Sequence, residues 1–223
     1  MLKVVRADQA ELDARLGISE IFAEGFTQWL VFFSKDPKRI AAAFAHMFIL
    51  DQFYVAVSNG RVVGMAACTD GTSLSVRLDK KELRKHLGFI KGSMAGIFLK
   101  KEFEAPLNYP SPSVGSIEFV GTAAEFRAQG VASQIIRYIL EHTSYQEYVI
   151  KEVADTNIPA MKLYHKLGFN EYDRKPVPAY RAKKIGINHF VSLRYTAAKP
   201  DQMFVKPKKD EYAYRPDPTE RHR

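Results

Sequence analysis

The chain has 223 residues, of which 46% are hydrophobic and 26% are charged, and it carries a formal net charge of +8. A chain of this length can bury one substantial core, so we expect a single folded domain. Its longest strongly apolar stretch, Ile40 to Leu50, is too short to cross a bilayer, and the first residues lack the apolar run of a signal peptide. We therefore expect a cytoplasmic protein without a membrane partner.

The positive charge is concentrated at the C-terminal end of the chain. Residues 1–173 contain 20 Lys or Arg and 20 Asp or Glu, whereas residues 174–223 contain 13 and 5. We place a domain at residues 1–195 and a basic, polar tail at 196–223. A tail of this composition is more often a solvated or partner-docking extension than a reader of nucleic acid, so nucleic acid is not the partner we expect.

Cys68 is the only cysteine, which rules out a disulfide within the chain. It lies in an apolar, strand-like run, and the sequence lacks the His and Asn or Asp context that a nucleophilic thiol requires. A buried structural thiol is therefore favoured.

The first part of the chain predicts a strand, two helices and a β-hairpin. Asp8, with Glu11 three residues later, resembles a capping box at the start of a helix, and Asp36 followed by Pro37 resembles the start of a second helix. Asn59-Gly60 favours a tight turn between two strands. The predicted ranges are 2–5 for the strand, 8–26 and 36–48 for the helices, and 53–58 and 62–69 for the hairpin.

The rest of the chain combines a predicted insertion with alternating strands and helices. Apolar residues at helical spacing predict one long amphipathic helix from near Asp79, followed by a proline-containing loop, and together these form an insertion at about 79–114. The residues on its apolar face are Leu83, Leu87, Ile90, Met94, Ile97 and Phe98. Strands are then predicted at 117–122, 148–153, 172–174 and 190–195, with helices at 130–142 and 159–167. This order predicts an α/β fold with a mixed sheet.

The first segment that carries chemistry is a strand followed closely by the start of a helix. The strand Ile117–Thr122 leads to Arg127-x-x-Gly130-x-Ala132, where the helix begins. The first amides of a helix have no partner within the helix, and together with the helix dipole they favour a bound anion. Gly130 lets a pyrophosphate approach the backbone, and Arg127 can add charge. Taken alone the signal is weak, because many α/β proteins need a glycine at such a position for close packing.

A second segment, Asn157-x-x-Ala160-x-x-x-Tyr164-x-x-x-Gly168-Phe169, begins at the end of a predicted strand and runs along the next helix. In this order the two segments resemble the GNAT superfamily of acyl-CoA-dependent N-acetyltransferases, whose phosphate-binding signature is Arg/Gln-x-x-Gly-x-Gly/Ala. The resemblance implies the GNAT fold. In that fold a mostly antiparallel sheet is splayed at its central parallel pair of strands, and helices cover both faces.

The resemblance also implies acetyl-CoA as co-substrate, without a metal, and it assigns residues to the binding of acetyl-CoA. Main-chain groups around Val120, Gly121 and Thr122 are implied to pair with the pantetheine arm, and Asn157 to contact it. Asn157 has helix capping as a second role, compatible with the first, because Asn before Ile158-Pro159 is a good helix start. The implied pyrophosphate site consists of Arg127 and the amides of Gln129, Gly130, Val131, Ala132 and Ser133.

The implied reaction is direct transfer of acetyl to a primary amine in one ternary complex. Glu118 is the candidate general base, because strand alternation places it on the same face as Val120 and Thr122. Its alternative role is that of a structural carboxylate near the strand start. Tyr164 is the candidate acid for the departing thiolate, with ordinary helix-face packing as its alternative role.

The motifs do not specify the acceptor amine, because fold and cofactor site are shared by enzymes with different acceptors. A small-molecule amine and an amine of a peptide or protein both stay open, as does a homodimer. A catalytically silent acyl-CoA-binding module and a basic interaction protein are the two alternative classes of function. One group of aromatic residues lies between the first two helices and can line the acceptor site or pack in the core: Phe26, Trp29, Phe32 and Phe33.

Overall fold

A seven-stranded sheet runs through the protein in the order β1-β2-β3-β4-β5-β7-β6. The computed structural model describes residues 2–104 and 111–197, except for the side chains of residues 28 and 29. The strands are β1 Lys3–Arg6, β2 Phe53–Ser58, β3 Arg61–Thr69, β4 Val114–Thr122, β5 Glu147–Ala154, β6 Asn170–Pro176 and β7 His189–Thr196. The helices are α1 Ala14–Gly25, α2 Thr27–Leu30, α3 Pro37–Phe44, α4 Lys80–Leu87, α5 Phe89–Phe103, α6 Val131–His142, α7 Ile158–Lys166 and α8 Ala179–Ile185. Within the described ranges, no helix has the length and apolar character needed to span a membrane.

The parts of the chain outside the description bear on two predictions. Almost all of the predicted tail, from residue 198 onward, lies outside the described residues, and so do residues 105–110 of the predicted loop. The domain limits and the character of the tail therefore stay predictions.

The sheet is antiparallel at every pairing except that of β4 with β5. This parallel pairing extends only from Val114 opposite Glu147 to Ser116 opposite Val149. Past Ser116 no described residue of β4 pairs with β5, so the sheet is split from there to the end of both strands. The predicted mixed sheet, splayed at its central parallel pair, is confirmed.

Helices cover both faces of the sheet and enclose two cores. The first core lies under α1, α3, α4 and α5 and is rich in phenylalanine, whereas the second lies under α6 and α7. Successive residues of β3 alternate between them, because neighbouring side chains of a strand point to opposite faces. Met65 and Ala67 belong to the first core, and Ala66 and Cys68 to the second.

Cys68 is 5% exposed, and burial raises the pKa of its thiol to about 12. Because the thiolate is the reactive form, we expect a thiol reagent at pH 8 to leave Cys68 of the native chain unmodified. The same reagent should titrate one thiol per chain in denaturant. The measurement is the release of a coloured thiolate with and without urea, and rapid reaction of the native chain would contradict this packing.

The first helix begins later than the sequence predicts. Asp8 precedes α1 and receives two hydrogen bonds from Arg6, at 2.6 and 2.9 Å, so its carboxylate is already engaged. The residue that caps α1 is Asp13, whose side chain accepts a hydrogen bond from the Arg15 amide at 3.0 Å. The predicted capping box at Asp8 is therefore wrong.

The predicted long helix of the insertion is two helices, α4 and α5, divided at Gly88, which has a φ of +80°. The two helices pack closely, since a Cβ atom at Gly92 would lie 2.5 Å from the Cα of Arg84. Through this contact α5 buries Gly92 and Ala95. The prediction of one continuous apolar face is wrong for α5, which exposes Phe89, Ile90, Ile97 and Phe98.

Candidate active site

Each of the two splayed strands carries a β-bulge beside the split. In β4, Phe119 has a φ of +51°, and the register with β3 shifts so that Phe119 and Val120 both lie opposite Ala66. In β5, Glu152 has a φ of +55°, with a corresponding shift against β7. Bulges of this kind bend a strand and re-aim its side chains, and they are common next to binding sites.

The bulge in β4 determines which face of the sheet Glu118 occupies. The sequence predicts that Glu118 shares a face with Val120 and Thr122, but the extra residue reverses the alternation beyond Glu118. Glu118 pairs with Ala67, a residue of the first core, whereas Val120 packs in the second core. The prediction of a shared face is therefore wrong, and the Glu118 carboxylate lies on the opposite side of the sheet from Val120.

Two serine hydroxyls hold the Glu118 carboxylate. Ser75 donates a hydrogen bond to one oxygen at 2.6 Å, and Ser116 donates to the other at 2.8 Å. A small cavity of about 10 Å³ lies next to the carboxylate, which is room for about one water. It is lined by Thr69, Gly71, Ser73, Leu74, Ser75, Phe103 and Glu118.

The N-terminus of α6 presents open backbone amides. Gly130 adopts the left-handed conformation at the N-cap, with a φ of +81°, and no described side chain caps the helix there. The amide of Gln134 is the first to bond back, to the Gly130 carbonyl, which leaves the amides of Val131, Ala132 and Ser133 without helical partners. A Cβ at Gly130 would meet no atom within 4 Å. This helix start can therefore hold an anion.

Close packing does not explain the glycine at position 130, but it does explain two glycines nearby. A Cβ at Gly64 in β3 would lie 2.5 Å from Cγ1 of Val131, so Gly64 lets the start of α6 rest on the sheet. A Cβ at Gly121 in β4 would lie 2.8 Å from Cγ2 of Ile21 in α1. Gly130, by contrast, combines a positive φ with open space.

The side chains of Arg127 and Gln129 fold back onto the loop that precedes α6. Arg127 donates to the carbonyl of Thr122 at 3.2 Å, and its guanidinium lies 3.6 Å from the carboxylate of Glu24. Gln129 donates to the carbonyl of Glu125 at 2.7 Å. These contacts brace the loop that presents the open amides, while Arg127 still exposes about half of its side chain, 55%.

Helix α7 contributes the second predicted segment. The side chain of Asn157 accepts a hydrogen bond from the Ala160 amide at 3.3 Å, which confirms its capping role. Tyr164 is 5% exposed in the second core, with its ring centroid 6.2 Å from that of Phe169. Its hydroxyl has no hydrogen-bond partner among the described residues, and burial raises the pKa of the phenol well above its usual value. Tyr164 therefore stays a neutral phenol, whose O–H group can donate a hydrogen bond to a ligand atom.

One charged residue beside the split, Lys151, is not singled out by the sequence motifs. It lies in the bulged part of β5, where partial burial lowers the pKa of its ammonium and the charge of Lys175 lowers it further. The carboxylate of Glu118 acts in the opposite direction across the split. In the sequence, Lys151 can be recognised as a lysine within the largely apolar strand segment Tyr148–Val153.

Comparison with known proteins agrees with this geometry. Residues 18–169 match the family model described as the acetyltransferase (GNAT) family. Among curated proteins, none is a significant match to the sequence.

Several solved structures share the fold. An N-acetyltransferase from Staphylococcus aureus Mu50 has a TM-score of 0.55 at 18% identity, covering 87% of this chain and 100% of that one. A GCN5-related N-acetyltransferase from Kribbella flavida has a TM-score of 0.54 at 19% identity, covering 88% and 98%. A Salmonella typhimurium protein solved with its cofactor acetyl-CoA has a TM-score of 0.51 at 14% identity, covering 90% and 98%. Because the family match spans more than half of the sequence and includes the split strands, the start of α6 and Tyr164, the chain belongs to the GNAT family of acetyltransferases.

Proposed function

We propose that the protein is an N-acetyltransferase that moves an acetyl group from acetyl-CoA directly to a primary amine within one ternary complex. The observation that carries the proposal is the juxtaposition of an open helix N-terminus with a split sheet. The carboxylate of Glu118 lies on one face of that split. The phenol of Tyr164, which has no hydrogen-bond partner within the described ranges, belongs to the core on the other face.

The residues around the split fit the parts of acetyl-CoA. The amides from Gln129 to Ser133, and the open space above Gly130, suit a pyrophosphate, and Arg127 adds positive charge at the edge of the loop. The backbone of Val120, Gly121 and Thr122 lies on the side of β4 that β5 leaves unpaired, so it is available to the amides of a pantetheine arm. Asn157 lies at the start of α7, where β5 ends, and we assign it a contact with the same arm.

Acetyl-CoA supplies an acetyl group activated as a thioester, and the chain supplies alignment and proton transfer. The acceptor amine becomes nucleophilic by giving a proton to Glu118, either directly or through a water molecule held in the small cavity beside the carboxylate. The nitrogen then forms its bond to the acetyl carbon as the bond from that carbon to sulfur breaks. The sulfur leaves as a thiolate, to which the Tyr164 hydroxyl donates a hydrogen bond and then its proton. The nitrogen gives up its second proton as it becomes an amide, and this proton restores the Tyr164 phenol, while Glu118 returns the first proton to solvent.

The burial of two of the four predicted aromatic residues restricts which of them can line the acceptor site. Phe33 is 8% exposed, and Phe26 stacks on Phe22 with ring centroids 4.8 Å apart, so both pack in the first core. Phe32 is 59% exposed, and the side chain of Trp29 lies outside the described part of the chain. Phe103 is the aromatic residue that borders the Glu118 cavity.

A panel of primary amines with acetyl-CoA tests the proposal. The panel holds polyamines, amino acids, aminoglycosides and peptides with free N-termini, and the readouts are free thiol and product mass. We expect acetylation of at least one class, with a mass increase of one acetyl group. Binding of acetyl-CoA without thiol release across the panel would favour a silent binding module instead. Salt-sensitive binding to nucleic acid that is lost on deleting residues 199–223 would favour a basic interaction protein.

A further inference from the structure

We infer that Ser75 and Ser116 are positioning residues that fix the orientation of the Glu118 carboxylate for proton transfer. The inference rests on the proposed function, because it acts through Glu118 as the proton acceptor. Neither serine belongs to the two sequence segments that carry the family resemblance.

The geometry of the contacts is that of a two-point clamp. The hydroxyls of Ser75 and Ser116 donate hydrogen bonds to different oxygens of the Glu118 carboxylate, with donor–acceptor distances of 2.6 and 2.8 Å. The carboxylate is therefore fixed both in position and in rotation. Each serine is 2% exposed. A serine hydroxyl has one proton to donate, and in each case that proton goes to Glu118.

The two halves of the clamp are anchored on separate parts of the fold. Ser116 lies in β4 at the last pair that joins β4 to β5, opposite Val149, so it marks the point where the sheet splits. Ser75 lies in the segment after β3, and its carbonyl accepts a hydrogen bond from the amide of Ile49 at 3.0 Å. Movement of either anchor alone would therefore tilt the carboxylate.

A carboxylate in this position needs such donors. It lines the small cavity together with Leu74 and Phe103, and a charged group near apolar side chains is costly unless hydrogen bonds replace its lost water. The serines use one lone pair on each oxygen, and the remaining lone pairs are left for the cavity of about 10 Å³. The clamp thus presents the carboxylate to one water or to the nitrogen of the acceptor.

The test is a set of alanine variants measured alone and combined with Glu118→Gln. The enzyme is given acetyl-CoA and an equimolar mixture of spermidine, tyramine, lysine and a peptide with a free N-terminus. The rate is measured as the release of free thiol. We expect Ser75→Ala and Ser116→Ala each to lower the rate of thiol release about ten-fold, because a small misplacement of a catalytic group slows the reaction strongly. The Kd of acetyl-CoA should stay the same. Ser116→Thr keeps the hydroxyl and suits a strand, so it should retain the rate.

The combined variants separate positioning from general damage to the fold. If the serines act through Glu118, Ser75→Ala should lower the rate no further once Glu118 is glutamine, and the thermal midpoints of the pair should be non-additive. Equal losses in both backgrounds, or full activity of both alanine variants, would overturn the inference while leaving the proposed function intact. No acetylation of the mixture or of the wider amine panel by the unmodified chain, or a wild-type rate for Glu118→Gln, would overturn the proposed role of Glu118 and the inference with it.

Discussion

Replacing Gly130 by aspartate is expected to abolish acetyl-CoA binding in a chain that still folds. The new carboxylate would stand at the open start of α6, where we place the pyrophosphate. Two unit charges 4 Å apart repel by about 1 kcal/mol in water and about 4 kcal/mol near a protein surface. Since a pyrophosphate carries two charges and about 1.4 kcal/mol is a factor of ten, the affinity should fall about thirty-fold at the value for water and by several orders of magnitude at the value for a protein surface. Isothermal titration with acetyl-CoA measures the loss.

Gly130→Asn is the matched control for charge. It has nearly the same shape as aspartate and accepts the left-handed conformation, and no atom lies within 4 Å of a Cβ at this position. Both variants should lose only a few degrees of thermal midpoint. Asparagine should weaken binding because it fills the space above position 130, and aspartate should weaken it much further, so the difference between the two variants measures the repulsion of charge. Equal affinity for the aspartate variant and the unmodified chain would remove the phosphate site from α6.

Replacing Tyr164 by phenylalanine is expected to slow acetyl transfer about a hundred-fold without weakening acetyl-CoA binding. The change keeps the ring that packs near Phe169 and removes only the hydroxyl, which has no other partner among the described residues. General acid catalysis is worth on the order of a hundred-fold or more, provided that proton transfer to the thiolate limits the rate. Single-turnover transfer to an acceptor found in the amine panel, together with a direct titration of acetyl-CoA, measures both quantities.

Tyr138→Phe is the matched control for loss of a phenol. Tyr138 lies on α6 with its ring stacked on His142 at 3.8 Å and 6.0 Å from the ring of Tyr54 in β2, a strand that does not border the split, so its hydroxyl should not affect the rate. Because burial raises the pKa of Tyr164, its proton stays in place at neutral and mildly alkaline pH, and the rate should show no loss there from ionisation of this phenol. Transfer at the wild-type rate by Tyr164→Phe, with chemistry shown to limit turnover, would make Tyr164 a packing residue.

The sequence was sufficient for the parts of the site that depend on local backbone geometry. A strand that runs directly into a helix, with Gly130 at the junction, places open amides at a known point of the sheet whatever the rest of the chain does. The same holds for Asn157, whose cap on α7 involves a neighbour three residues away. These features depend only on residues that are close together in the sequence, so they could be predicted.

The sequence could not reveal on which face Glu118 lies. That face follows from the bulge at Phe119, a bulky residue that rarely takes a positive φ. Its ring packs against Phe22, Phe53 and Phe103, which come from three distant segments, and this packing offsets the unfavourable conformation. The clamp by Ser75 is likewise a contact across 43 residues of sequence. Helix α8 was missed because it is short and has no buried residue to mark a periodic face.

Under the function we propose, the split between β4 and β5 would make acetyl-CoA a structural as well as a chemical partner of the chain. Each strand has an inner edge of unpaired backbone groups in the middle of the sheet, and an extended arm with amides of its own can occupy that edge as a short strand would. A ligand that binds only the folded state at a hundred times its Kd adds about 2.7 kcal/mol to the free energy of unfolding. The lifetime of the protein against proteolysis in the cell would then rise and fall with the supply of its own co-substrate.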